Sequence, residues 1–358
     1  MNFEPNEDQA LLKAAVERFV DDSYGGDLTA RRAARLAPTG FAAAHWARLA
    51  DTGLLGLAVS AANGGLGGGR IELMATLEAL GRGLVAEPVL EAAVMPGLLL
   101  DDGAGAAALP GLIDGTTLFA LAHLEREARH NLAYVGTTAR ADGEGVVLDG
   151  LKIAVTPGLA DQLIVSAAGP DGVGLYLVAA DAPGVDRRTY RLADGAVAAE
   201  ITLRGVRAGA RIGDLATLLA VVPLVRLAAT AEILGLMTLL FDTTLAYVKT
   251  RQQFGQPLGR FQVIQHRMTD AYVLVEQARS QLLRAVLAPE ADFARAAAGA
   301  KSFVAEAALS VGHTAVQMHG GMGLTDELVI GHALKRVRVL ALCLGDSAAA
   351  LSDYAAAA

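Results

Sequence analysis

Two long stretches of helical period, separated by one short break, constrain this chain more than any other feature. From about Thr217 to Thr250, alanine, leucine and valine recur at helical spacing without a glycine cluster. From Gln262 to about Leu287 the same pattern returns. Between them lies Arg251-Gln-Gln-Phe-Gly-Gln-Pro-Leu-Gly-Arg-Phe261. Gly255 and Gly259 let the backbone come close to another group, and Pro257 fixes the turn. Arg251, near a helix end, offers a planar fork of donors suited to a phosphate. Lys249, Arg251 and Arg260 make a small basic cluster, adequate for a diphosphate. By chemistry alone the plainer reading is the commoner one: a helix–helix turn with a solvated arginine.

A second break, Gln317-Met-His-Gly-Gly-Met-Gly323, also falls between helical patterns. Its three glycines in four residues expose backbone N–H groups, and Gln317 adds an amide that both donates and accepts. Together the two breaks resemble the paired signature of the acyl-CoA dehydrogenase family. That signature is Arg-x-x-Phe-Gly followed some sixty residues later by Gln-x-x-Gly-Gly-x-Gly. In that family the motifs bind the diphosphate and adenosine of an FAD held by a neighbouring subunit. The resemblance therefore implies cofactor contacts from Arg251, Phe254, Leu258, Gln262, Gln317, Gly320 and Gly321.

Bulk properties narrow the partners. The 358 residues suffice for two or three lobes and a large core. A formal charge of −8 without a basic run argues against nucleic acid. The longest apolar run, Leu215 to Val225, contains Thr217 and Pro223 and is too short to span a bilayer. Met1 to Pro5 is acidic and precedes no signal-like apolar core. Cys343 is the sole cysteine, so neither a disulfide framework within the chain nor a cysteine-ligated metal cluster is available. The spacings of His313, His319 and His332 match no compact metal site, and no metal is expected. A soluble, cytoplasmic protein is expected.

In chain order the periodicity predicts three segments: helices over 1–112, a small antiparallel β domain over 113–209, and a helical bundle over 210–358. Asn6-Glu-Asp-Gln opens a capped amphipathic helix, and Gly53 is placed to end the one around Trp46. The run Asn63-Gly-Gly-Leu-Gly-Gly-Gly69 invites a dinucleotide-binding reading. That reading needs a preceding parallel strand and a Gly-x-Gly-x-x-Gly register, and neither is clear. Strands are predicted at 145–155, 162–166, 174–178 and 198–203. Helix–sheet–helix matches the acyl-CoA dehydrogenase architecture over the whole chain. By the same resemblance the glycine run helps wall an acyl site. Val147-Leu-Asp-Gly-Leu-Lys152 resembles the strand-turn-strand ahead of the flavin ring, and Thr156 aligns with a position near that ring.

The reaction so implied is α,β-dehydrogenation of an acyl-CoA thioester. It needs a shielded carboxylate for the α-proton and a flavin to take the β-hydride. Here the chain departs from the family. Most members carry the base glutamate at the position of Leu344, and a second group at the position of Val225. Neither residue takes a proton. Asp346 and Glu232 are weak substitutes, Glu232 lying two turns beyond Val225 and reading foremost as a helix-packing residue. The usual Thr-Glu-Pro-x-x-Gly-Ser-Asp is replaced by Leu124-Glu-Arg-Glu-Ala-Arg-His-Asn131. Features serving the chain's own site are eroded, whereas those reaching a neighbour's FAD are intact.

That asymmetry resembles the small subunit of two-component acyl-CoA dehydrogenases, of the pimeloyl-CoA type and similar to partners in steroid side-chain degradation. Leu121-Ala-His-Leu-Glu-Arg-Glu-Ala-Arg, Thr138-Ala-Arg-Ala-Asp-Gly, Asp181-Ala-Pro-Gly-Val, Gly331-His-Ala-Leu-Lys-Arg and Leu344-Gly-Asp carry it. It implies an acyl-CoA substrate, a homologous catalytic subunit in a hetero-tetramer, and electron-transfer flavoprotein as acceptor. Three other readings stay open: a non-catalytic assembly subunit, a homotetrameric enzyme with a displaced base, and a flavin monooxygenase on the same fold.

Overall fold

The computed structural model describes residues 6–25, 28–143 and 145–357. Met1 to Pro5, on which the reading of the N-terminus rests, and Ala358 lie outside them. The first segment folds as α1 (Glu7–Tyr24), α2 (Thr29–Leu36), α3 (Ala43–Asp51), α4 (Arg70–Arg82), α5 (Met95–Leu100) and α6 (Leu109–Ile113). Asn6 and Gln9 form the reciprocal capping box expected at the start of α1. Gly53 follows α3 with φ of 77°, and its N–H donates to Ala50 O at 2.8 Å. The glycine run follows a 3-10 turn, Ala61–Asn63, and not a strand, so it lacks the setting of a dinucleotide-binding turn. Asp101 holds its start, accepting from Ser60 N–H and hydroxyl and from the Asn63 amide.

The middle segment forms β1 (Phe119–Ala122), β2 (Thr138–Asp142), β3 (Gly145–Val155), β4 (Gln162–Gly169), β5 (Gly172–Ala179), β6 (Val185–Arg191), β7 (Val197–Arg207) and β8 (Arg211–Asp214). Their order is β6-β7-β3-β2-β4-β5-β8, with β1 beside β4. The expected all-antiparallel sheet is corrected in its interior, at β4. β1 runs parallel to β4 from Phe119↔Gln162 to Ala122↔Val165, and β2 meets the same strand in parallel at Thr138↔Ala168. Period-two alternation identifies a strand but carries no direction, and here the direction is set by the chain's path between distant strands. Leu148, Val155, Leu163, Val165, Val178 and Ile201 lead the sheet's apolar core.

The last segment is α7 (Leu215–Thr250), α8 (Gln262–Val286), α9 (Glu290–His319), α10 (Val329–Ala341) and α11 (Ser347–Ala356). α7 is long and apolar enough to cross a bilayer, but 72% of its most apolar window is buried inside the protein, as a core helix requires. α9 packs against α8, α10 and α11. Its buried face is mostly alanine, which lets neighbouring helices approach closely.

Compactness divides the chain differently from segment order. One unit comprises residues 1–32, 70–85 and 226–358; the other comprises 33–69 and 86–225. In the first, α4 and α7 touch at two glycines. A Cβ on Gly81 would lie 2.2 Å from Glu232 O, and one on Gly235 2.1 Å from Glu78 O. No larger residue fits either position.

Candidate functional site

In the helical unit the two sequence breaks form one surface. After α7 the chain makes a minimal hairpin, Gln253 opposite Gln256, with Phe254 and Gly255 at its tip. Both tip residues have positive φ, 54° and 80°. Gly255 adopts this freely, while a phenylalanine does so at a cost. The Phe254 ring is 92% exposed and touches Phe261 edge-on at 6.1 Å. Arg251 is exposed, and no ion pair among the described residues includes it. Leu258 is half-buried and Gln262 exposed in the following turn.

At the end of α9, Gln317 is exposed and His319 buried. The His319 Nδ1 lies 2.9 Å from Ala315 O, and its ring stacks on Tyr247 at 4.3 Å. Tyr247 precedes Arg251 by one turn and accepts its N–H at 2.8 Å. The stack therefore joins the two motifs side by side. A Cβ added at Gly320 or Gly321 would meet nothing within 4 Å, so packing does not require glycine there. Gly320 has φ 60° and ψ −142°, a conformation reserved for glycine, and it turns bare backbone outward. A guanidinium and an amide without side-chain partners among the described residues, open glycine backbone and an exposed aromatic ring together fit a diphosphate carrying a flat base, as FAD does.

The carboxylates considered for proton abstraction are committed elsewhere. Glu232, buried on α7, accepts from Arg336 Nε at 2.7 Å and Nη2 at 3.1 Å. Asp346 is the N-cap of α11, accepting from Ala349 N–H at 2.8 Å. Leu344 and Val225 are buried and apolar. The turn bearing Leu344 is nonetheless tightly built. Leu344 has φ of 48°, and its carbonyl accepts from Arg226 Nη2 at 2.9 Å and Nε at 3.1 Å. Arg226 also pairs with Asp353 at 2.6 Å. Lys301, fully buried on α9, donates to Leu340 O at the end of α10.

In the sheet-bearing unit, Leu124 to Asn131 carries no glycine–serine element, and its glutamate has a structural partner. Lys152 Nζ lies 2.6 Å from Glu125 Oε1 and 2.9 Å from Ser166 Oγ, and His123 Nδ1 lies 2.9 Å from the same hydroxyl. Glu125 further accepts from Gly136 N–H, Thr137 N–H and the Thr137 hydroxyl. Burial pushes Lys152 down to about 8, against the pull of Glu125. Burial and then the Lys152 charge push His123 down to about 4, so the imidazole is neutral at pH 7. Burial alone would raise Glu125, but hydrogen bonding and charge from Lys152 outweigh it and hold the carboxyl below its ordinary value. Sequence reasoning missed this network. Its one signal was a lysine inside the apolar alternation of 145–155.

Thr156 follows a bulge in β3 and is half-buried, its hydroxyl donating to Ala154 O at 3.2 Å. The three histidines are separately engaged. Besides His319, His313 meets Arg338 at 3.1 Å and His332 meets Asp326 O at 3.0 Å.

Comparison with known proteins identifies the family. The family model described as acyl-CoA dehydrogenase, C-terminal domain, matches residues 218–358, and that for the N-terminal domain matches residues 6–103. Acyl-CoA dehydrogenase FadE27 of Mycobacterium tuberculosis is 32% identical over 305 residues, 79% of each chain. A variant of the Tcur3481-Tcur3483 steroid ACAD superposes with a TM-score of 0.88 at 31% identity, covering 98% of this chain and 97% of that one. The ChsE4-ChsE5 complex of Mycobacterium tuberculosis gives 0.87 at 28% identity with the same coverage. The chain belongs to the acyl-CoA dehydrogenase family.

Proposed function

We propose that this chain is the subunit without a base in a two-component, FAD-dependent acyl-CoA dehydrogenase. One observation carries the proposal. The face that would reach a neighbour's cofactor is complete and unpaired, whereas both positions of the family's glutamate hold buried aliphatic residues. When bound, FAD supplies the ring that accepts a hydride. Arg251 and Gln317 would bind its diphosphate, Gly320 and Gly321 would let that group approach the backbone, and Phe254 with Leu258 would cover its apolar part. Thr156 would line a flavin face in the sheet-bearing unit. Leu344 and Val225 hold no proton and serve only to exclude water.

The α-proton of the thioester must then go to a carboxylate on a homologous partner subunit, and electron-transfer flavoprotein is the expected acceptor of electrons from the assembly. The likeness to the Tcur3481-Tcur3483 steroid ACAD and to the ChsE4-ChsE5 complex favours a hetero-oligomer and a bulky acyl chain. The test is flavin content and acyl-CoA-dependent bleaching of the chain alone and then with its neighbouring paralogue. A pale, inert chain that gains flavin and bleaching on mixing supports the proposal. A yellow chain that bleaches alone overturns it.

A further inference from the structure

β3 pairs with β7, but the register slips between Lys152, opposite Ile201, and Val155, opposite Ala199. Three steps on β3 match two on β7, which makes a bulge. Ala154 sits in it with φ of 51°, a left-handed conformation that is unfavourable for an alanine. Its N–H donates to the Tyr190 hydroxyl at 3.1 Å. Tyr190 lies on β6, opposite Ala198 of β7. Its side chain therefore crosses β7 to reach β3, over a strand that carries only alanine at 198 and 199. The ring is 37% exposed, so core burial does not account for its placement.

Beyond the bulge the chain is fixed a second time. Gly158 N–H donates to Val197 O at 2.8 Å, and a Cβ on Gly158 would lie 2.4 Å from the Ala198 carbonyl carbon. Thr156 hangs between these two anchors. Of the two, only the Tyr190 hydroxyl can be removed without altering packing.

We propose that Tyr190 is a positioning residue: its hydroxyl holds the Ala154 bulge in its left-handed conformation and thereby aims Thr156 at the flavin ring. The link to flavin rests on the role given to Thr156 under the proposed function; the hold on the bulge does not. Bulges beside active sites commonly re-aim one side chain, and strain kept at one residue needs surroundings that enforce it.

The experiment compares Tyr190→Phe with the parent, as the full chain in its assembly. It reads amide exchange over residues 153–156, melting temperature and the visible flavin spectrum. One net hydrogen bond predicts exchange about threefold to tenfold faster at Ala154. Melting should fall by no more than about 2 °C, and the flavin band should shift. Adding Ala154→Gly, which adopts positive φ without strain, should return the band toward that of the parent. Unchanged exchange would overturn the proposal at its root. Faster exchange with an unshifted band would uphold the hold on the bulge and overturn its link to flavin. A drop in melting well beyond that of one hydrogen bond would reduce Tyr190 to a structural role and equally overturn the positioning claim.

Discussion

Arg251 and Glu232 are both charged side chains on or beside one helix, yet their surroundings give them opposite duties. Arg251 stands exposed without an ion pair, so its removal leaves folding nearly untouched. Arg251→Ala should weaken flavin binding by the assembly about tenfold or more, the worth of one charge-assisted contact. Its stability should change by no more than about 0.5 kcal/mol. Flavin titration beside thermal melting checks both, and an unchanged flavin affinity would remove Arg251 from the site. Glu232 is buried against Arg336. Glu232→Gln should destabilise on the order of 3 kcal/mol, because it strands a buried cation. Replacing both partners, Glu232→Leu with Arg336→Leu, should recover most of that loss. Urea midpoints report the pair. A turnover defect without a stability defect would instead point to proton transfer at Glu232. In the sequence, spacing placed Glu232 on the helix and Arg251 at its end; it could not tell a paired carboxylate from a free one, because the partner stands about a hundred residues away.

At the scale of elements, charge and turn chemistry act on the α10–α11 connection. Lys301 and Arg226 donate to main-chain carbonyls at its two ends, Leu340 and Leu344. Burial pushes Lys301 down to about 8, and the Arg226 charge adds to this, against Cys343 and Asp346. The unfolded chain keeps an ordinary lysine. Between these two values the folded state has released its proton and the unfolded state has not, so raising the pH through that window favours folding. Below about 8 both states are protonated and the contribution is flat. The stability of the parent relative to Lys301→Met should therefore grow as pH rises above about 8. Denaturant unfolding across that range measures it, and a constant difference would contradict the burial of the charge. Elements with strong periodicity were legible in advance: β3 spans the expected residues 145–155, and α8 begins at Gln262. β6, Val-Asp-Arg-Arg-Thr-Tyr-Arg, was not, since an exposed strand of charged residues presents no alternating apolar face. The anchor Tyr190 was lost with it.

For the molecule as a whole, the question is whether the absent base is the chain's only deficit. If it were, restoring a carboxylate at 344 would yield a self-sufficient dehydrogenase. The backbone of the turn would keep its shape: Leu344 already sits at positive φ beside Gly345, and Arg226 holds its carbonyl. The sheet-bearing unit argues for a second deficit. Its segment from Leu124 to Asn131 offers no glycine–serine element, and Glu125 there is tied to Lys152 and Thr137. On the proposed reading, a restored base would lack the glycine–serine element beside it and so a seated thioester to act on. Leu344→Glu, purified alone, should remain unable to bleach with acyl-CoA, and in the mixed assembly it should leave flavin content unchanged. Anaerobic titration with acyl-CoA gives the answer. Bleaching by Leu344→Glu alone would mean that one substitution separates this chain from an independent enzyme. The division of labour between two subunits would then lose its structural ground.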